Sequence, residues 1–157
     1  MNLIIIAVFL FVPLSAFADT SDNWSYLLNV INEGKSNIQS LSKMNFSDCN
    51  LVGLELSNLD LTNVNFSGAD LSGSYMYGSN LQNSVFDNAI MYGVNLQSTN
   101  LENSSFINTV LSGSLFRDAN LQNANLYAVN LYNANLDGVN LQNSNLRFAN
   151  LINTNLM

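Results

Sequence analysis

One period constrains the fold of this chain more than any other feature: from residue 46 to residue 156, every fifth residue is Leu, Phe or Met. These residues are Phe46, Leu51, Leu56, Leu61, Phe66, Leu71, Met76, Leu81, Phe86, Met91, Leu96, Leu101, Phe106, Leu111, Phe116, Leu121, Leu126, Leu131, Leu136, Leu141, Leu146, Leu151 and Leu156. A helix repeats every 3.6 residues and a strand every 2, so neither keeps such positions on one side. The backbone must therefore turn once in each repeat if these side chains share one core.

The residues around each large apolar position support such a turn. Two residues before it stands a small or modest side chain, such as Ala69, Ala89 or Cys49. Cys49 is the only cysteine, so no intrachain disulfide can form. We expect Cys49 to be buried rather than paired between molecules, because cysteine packs as a small hydrophobe. Two residues after the large apolar position stands Gly, Asn, Asp or Ser in nearly every repeat, and these residues favour turns.

A second period, of 20 residues, sets the number of sides. It appears in Phe46, Phe66, Phe86 and Phe106, in Gly53, Gly73, Gly93 and Gly113, continued by Asn133 and Asn153, and in Asn63, Asn83, Asn103, Asn123 and Asn143. Four five-residue repeats make one such period, which predicts a square tube with each residue stacked on the residue 20 positions earlier. The pattern also predicts positive φ at the glycine corner, stacked phenylalanines and amide hydrogen bonds along asparagine columns.

These repeats resemble the pentapeptide-repeat family, whose pattern is A-(D/N)-L-x-x. The pattern is clearest at Ala69–Gly73, Ala119–Asn123 and Ala134–Gly138. The resemblance covers about residues 44–157 and implies an all-β solenoid, a right-handed quadrilateral β-helix, here of about six coils. It implies little about function: many members have no known activity, and some resemble B-form DNA in size, shape and charge and act on DNA gyrase.

Residues 1–18 have the features of a secretory signal peptide. An apolar run from Leu3 to Val12 ends at Pro13, and Ala16 and Ala18 predict cleavage after Ala18. The run is shorter than the ~20 residues of a membrane span. We therefore expect a secreted or periplasmic protein without stable membrane insertion after signal cleavage. No Lys or Arg precedes the run, so an uncleaved N-terminal anchor is the alternative.

Residues 19–45 are predicted to form a capping helix and a connector before the β-helix at residues 46–157. Four apolar residues fall on one helix face: Trp24, Leu27, Leu28 and Ile31. They predict a helix near residues 22–33. This face is expected to cover the first coil, because stacked repeats need terminal caps. A membrane-surface helix is the alternative, but it would require more Lys or Arg on its polar face.

The composition argues against catalysis, metal binding and direct binding to nucleic acid. Without His and with one Cys, the chain has no Ser-His or Cys-His pair and no His or multi-Cys metal site. The net charge of −7, from 11 acids and 4 bases, disfavours direct binding to nucleic acid. We therefore expect neither an enzyme nor a cofactor. The early acids Asp48, Glu55, Asp60 and Asp70 are interpreted as solvated side chains, since their columns do not stack one on another.

Apolar residues at outward positions are the candidate functional feature. Most positions flanking the large apolar residues are polar, but some are apolar or aromatic, and nine of these form the candidate surface. These nine residues, the apolar zone, are Tyr75, Val85, Ile90, Tyr92, Ile107, Val110, Leu115, Tyr127 and Tyr132. Monomers seldom expose large apolar patches, and Tyr is favoured at interfaces, so the zone predicts a protein-binding surface. The alternative is the scattered apolar exposure of an ordinary surface.

The last coil is a second candidate contact. Leu151 and Leu156 are expected to lie at an open end, and Phe148 occupies a corner that other coils give to Asp, Gly, Asn or Ala. These residues predict a homodimer through the C-terminal coil, or a Phe148 side chain folded over the end.

The sequence as a whole favours an exported, non-enzymatic scaffold that binds an unidentified protein. The alternative is a DNA-mimicking protein that binds a DNA-binding enzyme such as DNA gyrase. Export and the sparse, uneven acids disfavour that alternative.

Overall fold

The computed structural model describes residues 40–157, which form a tube with four sides. Parallel β-bridges of single residues occur at every fifth position, and each joins two residues that are 20 apart. They run from the Ser40–Asp60 bridge to the Asn135–Asn155 bridge. Within residues 40–157 these bridges are the only regular elements, with no longer strand and no helix. The predicted signal peptide and capping helix lie outside the described residues.

The bridging residues form four columns, one on each face of the tube. Face 1 carries Ser40, Asp60, Asn80, Asn100, Asn120 and Asn140, and face 2 carries Asn45, Asn65, Val85, Ser105, Asn125 and Asn145. Face 3 carries Asn50, Asp70, Ile90, Val110, Asn130 and Asn150, and face 4 carries Glu55, Tyr75, Asn95, Leu115, Asn135 and Asn155. One turn of the tube is therefore the predicted 20-residue coil. The first coil already includes Ser40 and Leu41, which the sequence pattern placed in the connector.

The core consists of the side chains that the five-residue period predicts. The large apolar residues from Leu41 to Leu136 are each at most 3% exposed. The phenylalanines stack as predicted, with centroid separations of 5.6 Å for Phe46–Phe66, 5.3 Å for Phe66–Phe86 and 4.6 Å for Phe86–Phe106. Like side chains therefore pack on like side chains from coil to coil.

Buried hydroxyls in the small inward positions bond to the backbone. Ser84 Oγ donates to the Leu61 carbonyl at 2.9 Å, and Thr109 Oγ1 donates to the Phe86 carbonyl at 2.7 Å. No buried side-chain nitrogen or oxygen of the described residues lacks a partner. These serine and threonine hydroxyls thus tie neighbouring coils together.

Asparagines hold the outer wall in register. On face 1, Asn100 donates to Asn80 at 3.2 Å and Asn140 donates to Asn120 at 2.9 Å, as the sequence predicted. The same side-chain oxygens accept backbone N–H bonds from two residues further on, for example from Gln122 to Asn120 at 3.2 Å. Each Asn therefore supports both its own turn and the next coil.

Positive φ occurs at all four corners, and nearly all of these positions carry the Gly, Asn, Asp or Ser residues that the sequence predicted to form turns. Ala128 and Phe148, with φ of 55° and 63°, adopt this conformation without the local preference of Gly or Asn. Gly68 has a φ of 69°, and a Cβ added there would meet the Asp48 carboxylate below it, so the Asp48 side chain would have to move. This contact confirms the predicted shared column of Asp48 and Gly68.

Candidate functional site: an apolar outer surface

The apolar zone spans faces 2 to 4 around the middle coils. Tyr92, Tyr75, Ile90 and Tyr132 are 54%, 52%, 40% and 40% exposed, and Leu115 and Tyr127 are also exposed. Val85, Ile107 and Val110 are half-buried. The outward orientation predicted for the zone is therefore clearest at its tyrosines.

Part of the zone is contiguous. Ile90 bridges directly to Val110 on face 3. Ile107 and Tyr127 share the adjoining corner, because the amide of Asn108 donates to the Tyr127 carbonyl at 3.1 Å. These four residues form one apolar ridge where faces 2 and 3 meet.

The other members lie around this ridge. Tyr75 and Leu115 are on face 4, separated by Asn95, which bridges to each of them. Tyr92 and Tyr132 occupy the corner between faces 3 and 4, and Val85 lies on face 2. Three further apolar residues are exposed: Tyr77, whose outward position follows from the repeat, and Val52 and Ile152, which the sequence prediction did not include. Their signal was available, since each directly follows a large apolar residue, as Tyr92 does.

The last coil exposes part of the core. Leu151 and Leu156 are 38% and 57% exposed, whereas Phe46 and Leu51 in the first coils are 3% and 1% exposed. Phe148 is 72% exposed. Its ring meets Tyr127 edge-on at 5.3 Å, so Phe148 lies on the outer wall and does not fold over the end.

The early acids have structural partners. Asp60 accepts hydrogen bonds from the Ser40 hydroxyl at 2.9 Å and the Thr62 amide at 3.1 Å. Burial acts to raise the pKa of Asp60, but these hydrogen bonds outweigh it and the pKa is lowered. Asp60 stacks on Asn80 and Asp70 on Ile90, so these carboxylates do not stack on one another, as predicted. Among the described residues, no three His, Cys, Asp or Glu side chains are grouped as a metal site.

Cys49 is buried, as the sequence predicted, and its thiol donates to the Ser47 carbonyl at 3.4 Å. Burial, followed by the negative charge of Asp48, raises the pKa of this thiol to about 11.

We expect iodoacetamide at pH 8 to alkylate Cys49 in urea but not in the folded protein, as measured by mass spectrometry. Cys49→Ser is the unlabelled control, and equal labelling rates would contradict the burial. Because the folded pKa is raised, the thiol's contribution to stability is present below pH 9 and lost as the pH rises toward 11.

No helix among residues 40–157 is long and apolar enough to cross a membrane.

Comparison with known proteins identifies the architecture. The family model for pentapeptide repeats matches this chain with eight copies of its repeat, over residues 39–68, 65–103, 95–131 and 124–157. A search of curated proteins found no match. The pentapeptide-repeat protein Rfr23 from the cyanobacterium Cyanothece 51142 is 28% identical with a TM-score of 0.68, over 85% of this chain and 99% of that chain.

Two further solved structures are more distant. A pentapeptide-repeat protein from the Arabidopsis thaliana thylakoid lumen is 24% identical with a TM-score of 0.50, over 62% of this chain and 71% of that chain. QnrB1, a plasmid-mediated fluoroquinolone resistance protein, is 20% identical with a TM-score of 0.46, over 68% of this chain and 64% of that chain. The family match and the Rfr23 structure confirm the predicted right-handed quadrilateral β-helix.

Proposed function

The chain belongs to the pentapeptide-repeat family, and we propose that it is an exported, non-enzymatic scaffold that binds a protein through the apolar zone. The observation that carries this proposal is the ridge of Ile90, Val110, Ile107 and Tyr127. A solenoid of this kind needs only polar residues outside, and asparagine fills most of the bridging positions on the four faces. Apolar side chains in adjacent columns and successive coils remove those hydrogen-bonding groups from the surface. Such a continuous apolar surface is typical of protein interfaces.

Export is proposed from residues 1–18, whose apolar run and Ala16–Ala18 pattern match a cleaved signal peptide. It places the partner outside the cytoplasm. We expect the N-terminus of protein purified from the extracellular or periplasmic fraction to be Asp19.

The arrangement of acids does not favour DNA mimicry. Between residues 44 and 116 the chain has six acids and no base. Their side chains are distributed around the tube, with Asp60 on face 1, Asp70 on face 3 and Glu55 on face 4. A duplex presents phosphates in two continuous rows with one charge per ~1.7 Å of axis. No face of residues 40–157 provides such rows.

The proposal is tested by replacing Ile90, Val110 and Tyr92 together with Asn, the residue most common at outward positions. We expect the triple variant to retain the fold, as measured by circular dichroism, and to lose at least about tenfold in affinity for the captured protein partner. Tyr77→Asn is the control, because Tyr77 is 48% exposed but does not belong to the apolar zone. Unchanged partner capture by the triple variant would refute the proposal.

The exposed last coil supports a second contact, between the C-terminal coils of two copies. Phe148, Leu151 and Leu156 together present apolar surface that a copy of the same coil would cover. We expect Leu151→Asn with Leu156→Asn to lower the mass measured by light scattering at high protein concentration. A wild-type mass that the two substitutions leave unchanged would count against this contact.

A further inference from the structure

One corner of the tube carries four side chains of different chemical type, one in each of four successive coils. Asp87, Ile107, Tyr127 and Arg147 occupy the corner between faces 2 and 3 in four successive coils. The Ile107 amide donates to Asp87 Oδ1 at 2.9 Å, the Asn108 amide to the Tyr127 carbonyl at 3.1 Å, and the Ala128 amide to the Arg147 carbonyl at 2.9 Å. These bonds fix the four residues in one column, here called the corner strip. Along the tube it presents an acid, an aliphatic side chain, an aromatic ring and a base.

Both charged ends of the corner strip retain bonding capacity. Arg147 is exposed, and its guanidinium carbon Cζ lies 5.7 Å from the centroid of the Phe148 ring. Within residues 40–157 the one ion pair joins Arg117 to Asp137 at 3.1 Å, so Arg147 has no carboxylate partner there. Asp87 uses Oδ1 for the Ser105 hydroxyl and the Ile107 amide, and its Oδ2 accepts no bond from the described residues. Three coils, or about 14 Å, separate Asp87 from Arg147, which is too far for an ion pair within one molecule.

We infer that the corner strip binds the corner strip of a second copy of this chain, side by side and antiparallel. A two-fold axis between Ile107 and Tyr127 places Asp87 of each copy opposite Arg147 of the other. The same axis places Ile107 opposite Tyr127 in both directions, so the contact is self-complementary.

Charge selects the antiparallel arrangement. A parallel pair would place Asp87 opposite Asp87 and Arg147 opposite Arg147, and like charges across an interface disfavour association. In this arrangement, the Val110 residues of the two copies differ in height along the tube by less than one coil. The inference rests on the proposed function, because it names the occupant of one side of the same apolar ridge.

Disulfide trapping tests the geometry. One chain carries Asp87→Cys and another carries Arg147→Cys, both with Cys49→Ala, since the Cys49 column contains Ala69 and Ala89 in the next two coils. We expect mild oxidation of the mixture to give a cross-linked dimer. Each variant alone should give none, because like positions would lie about 14 Å apart along the tube, beyond the ~7 Å limit on Cα separation in a disulfide. The mixed dimer still retains one Asp87–Arg147 pair.

The other outcomes overturn the inference. A mixture that does not cross-link excludes the antiparallel contact. Cross-linking of the Arg147→Cys chain with itself indicates contact between C-terminal ends, and self-cross-linking of the Asp87→Cys chain indicates a parallel pair. Should the mixture fail to cross-link while the Ile90, Val110 and Tyr92 triple variant still loses a captured partner, the inference fails and the proposed function stands. Should neither effect occur, both fail.

Variants with exchanged charges provide an independent test, in which sedimentation measures the affinity of the dimer. Arg147→Asp is expected to weaken the dimer about tenfold or more, because it places two acids opposite each other. Asp87→Arg combined with Arg147→Asp should restore the affinity to within about threefold, since the exchanged charges are again complementary. Equal dimer affinity of wild type and Arg147→Asp would overturn the inference, as would a combined variant no tighter than Arg147→Asp.

Discussion

Replacing Phe86 with Ala is expected to lower the free energy of unfolding by about 3–5 kcal/mol. Phe86 is fully buried, and its ring is stacked between Phe66 and Phe106 at 5.3 and 4.6 Å. Truncation removes both contacts and leaves a cavity on the tube axis. The adjacent coils cannot collapse into that cavity, because backbone hydrogen bonds such as Phe86 to Ser105, at 2.7 Å, fix their spacing. Urea unfolding followed by circular dichroism measures the loss.

Two variants control for this result. Phe86→Leu should cost much less, about 1.5 kcal/mol or below, because leucine fills most of the volume and the same column continues with Leu126 and Leu146. Phe148→Ala removes an equally large ring that is 72% exposed, and it should change stability by less than about 1 kcal/mol. Similar losses for Phe86→Ala and Phe148→Ala would contradict the stacked core.

The inside of the tube could be predicted from the sequence because every repeat solves the same steric problem. A large apolar residue at each fifth position fixes which side chains point inward, and the 20-residue period fixes which ones meet. Two features follow from these two periods alone: the stacked rings of Phe46, Phe66 and Phe86, and the side-chain hydrogen bond from Asn100 to Asn80.

Backbone conformation at several corners could not be predicted in this way. Ala128 and Phe148 have no intrinsic preference for positive φ, yet both adopt it. Hydrogen bonds to the next coil, such as that from the Ala128 amide to the Arg147 carbonyl, impose the turn that the other corner residues favour locally. Contacts between coils thus override local propensity.

The outer surface is predictable only in part. Its residues are outside the packing that enforces the repeat, so the sequence identifies the apolar zone but not how its members group. The corner strip is visible only after the register of Asp87, Ile107, Tyr127 and Arg147 is known. The exposure of the last coil likewise depends on which core side chains another coil covers.

The second large effect is expected at a buried hydroxyl: Ser79→Ala should lower the free energy of unfolding by about 2–4 kcal/mol. Ser79 is 1% exposed. Its Oγ donates to the Leu56 carbonyl at 2.6 Å and accepts the Leu59 amide at 3.2 Å. No other hydrogen bond of the described residues uses either backbone group. The hydroxyl therefore closes a turn one coil below it, and its loss leaves two buried backbone groups without partners.

Ser104→Ala is the matched control for this effect. Ser104 is also 1% exposed, and its hydroxyl donates to the Leu101 carbonyl at 2.6 Å. That carbonyl also accepts the Ser104 amide at 3.2 Å, so it keeps a partner after the substitution. We expect Ser104→Ala to cost about 1 kcal/mol or less. Urea unfolding of both variants measures the difference, and equal losses would show that the buried backbone groups at Leu56 and Leu59 find other partners. A larger loss for Ser79→Ala would show that inward serines close the tube where the backbone alone does not.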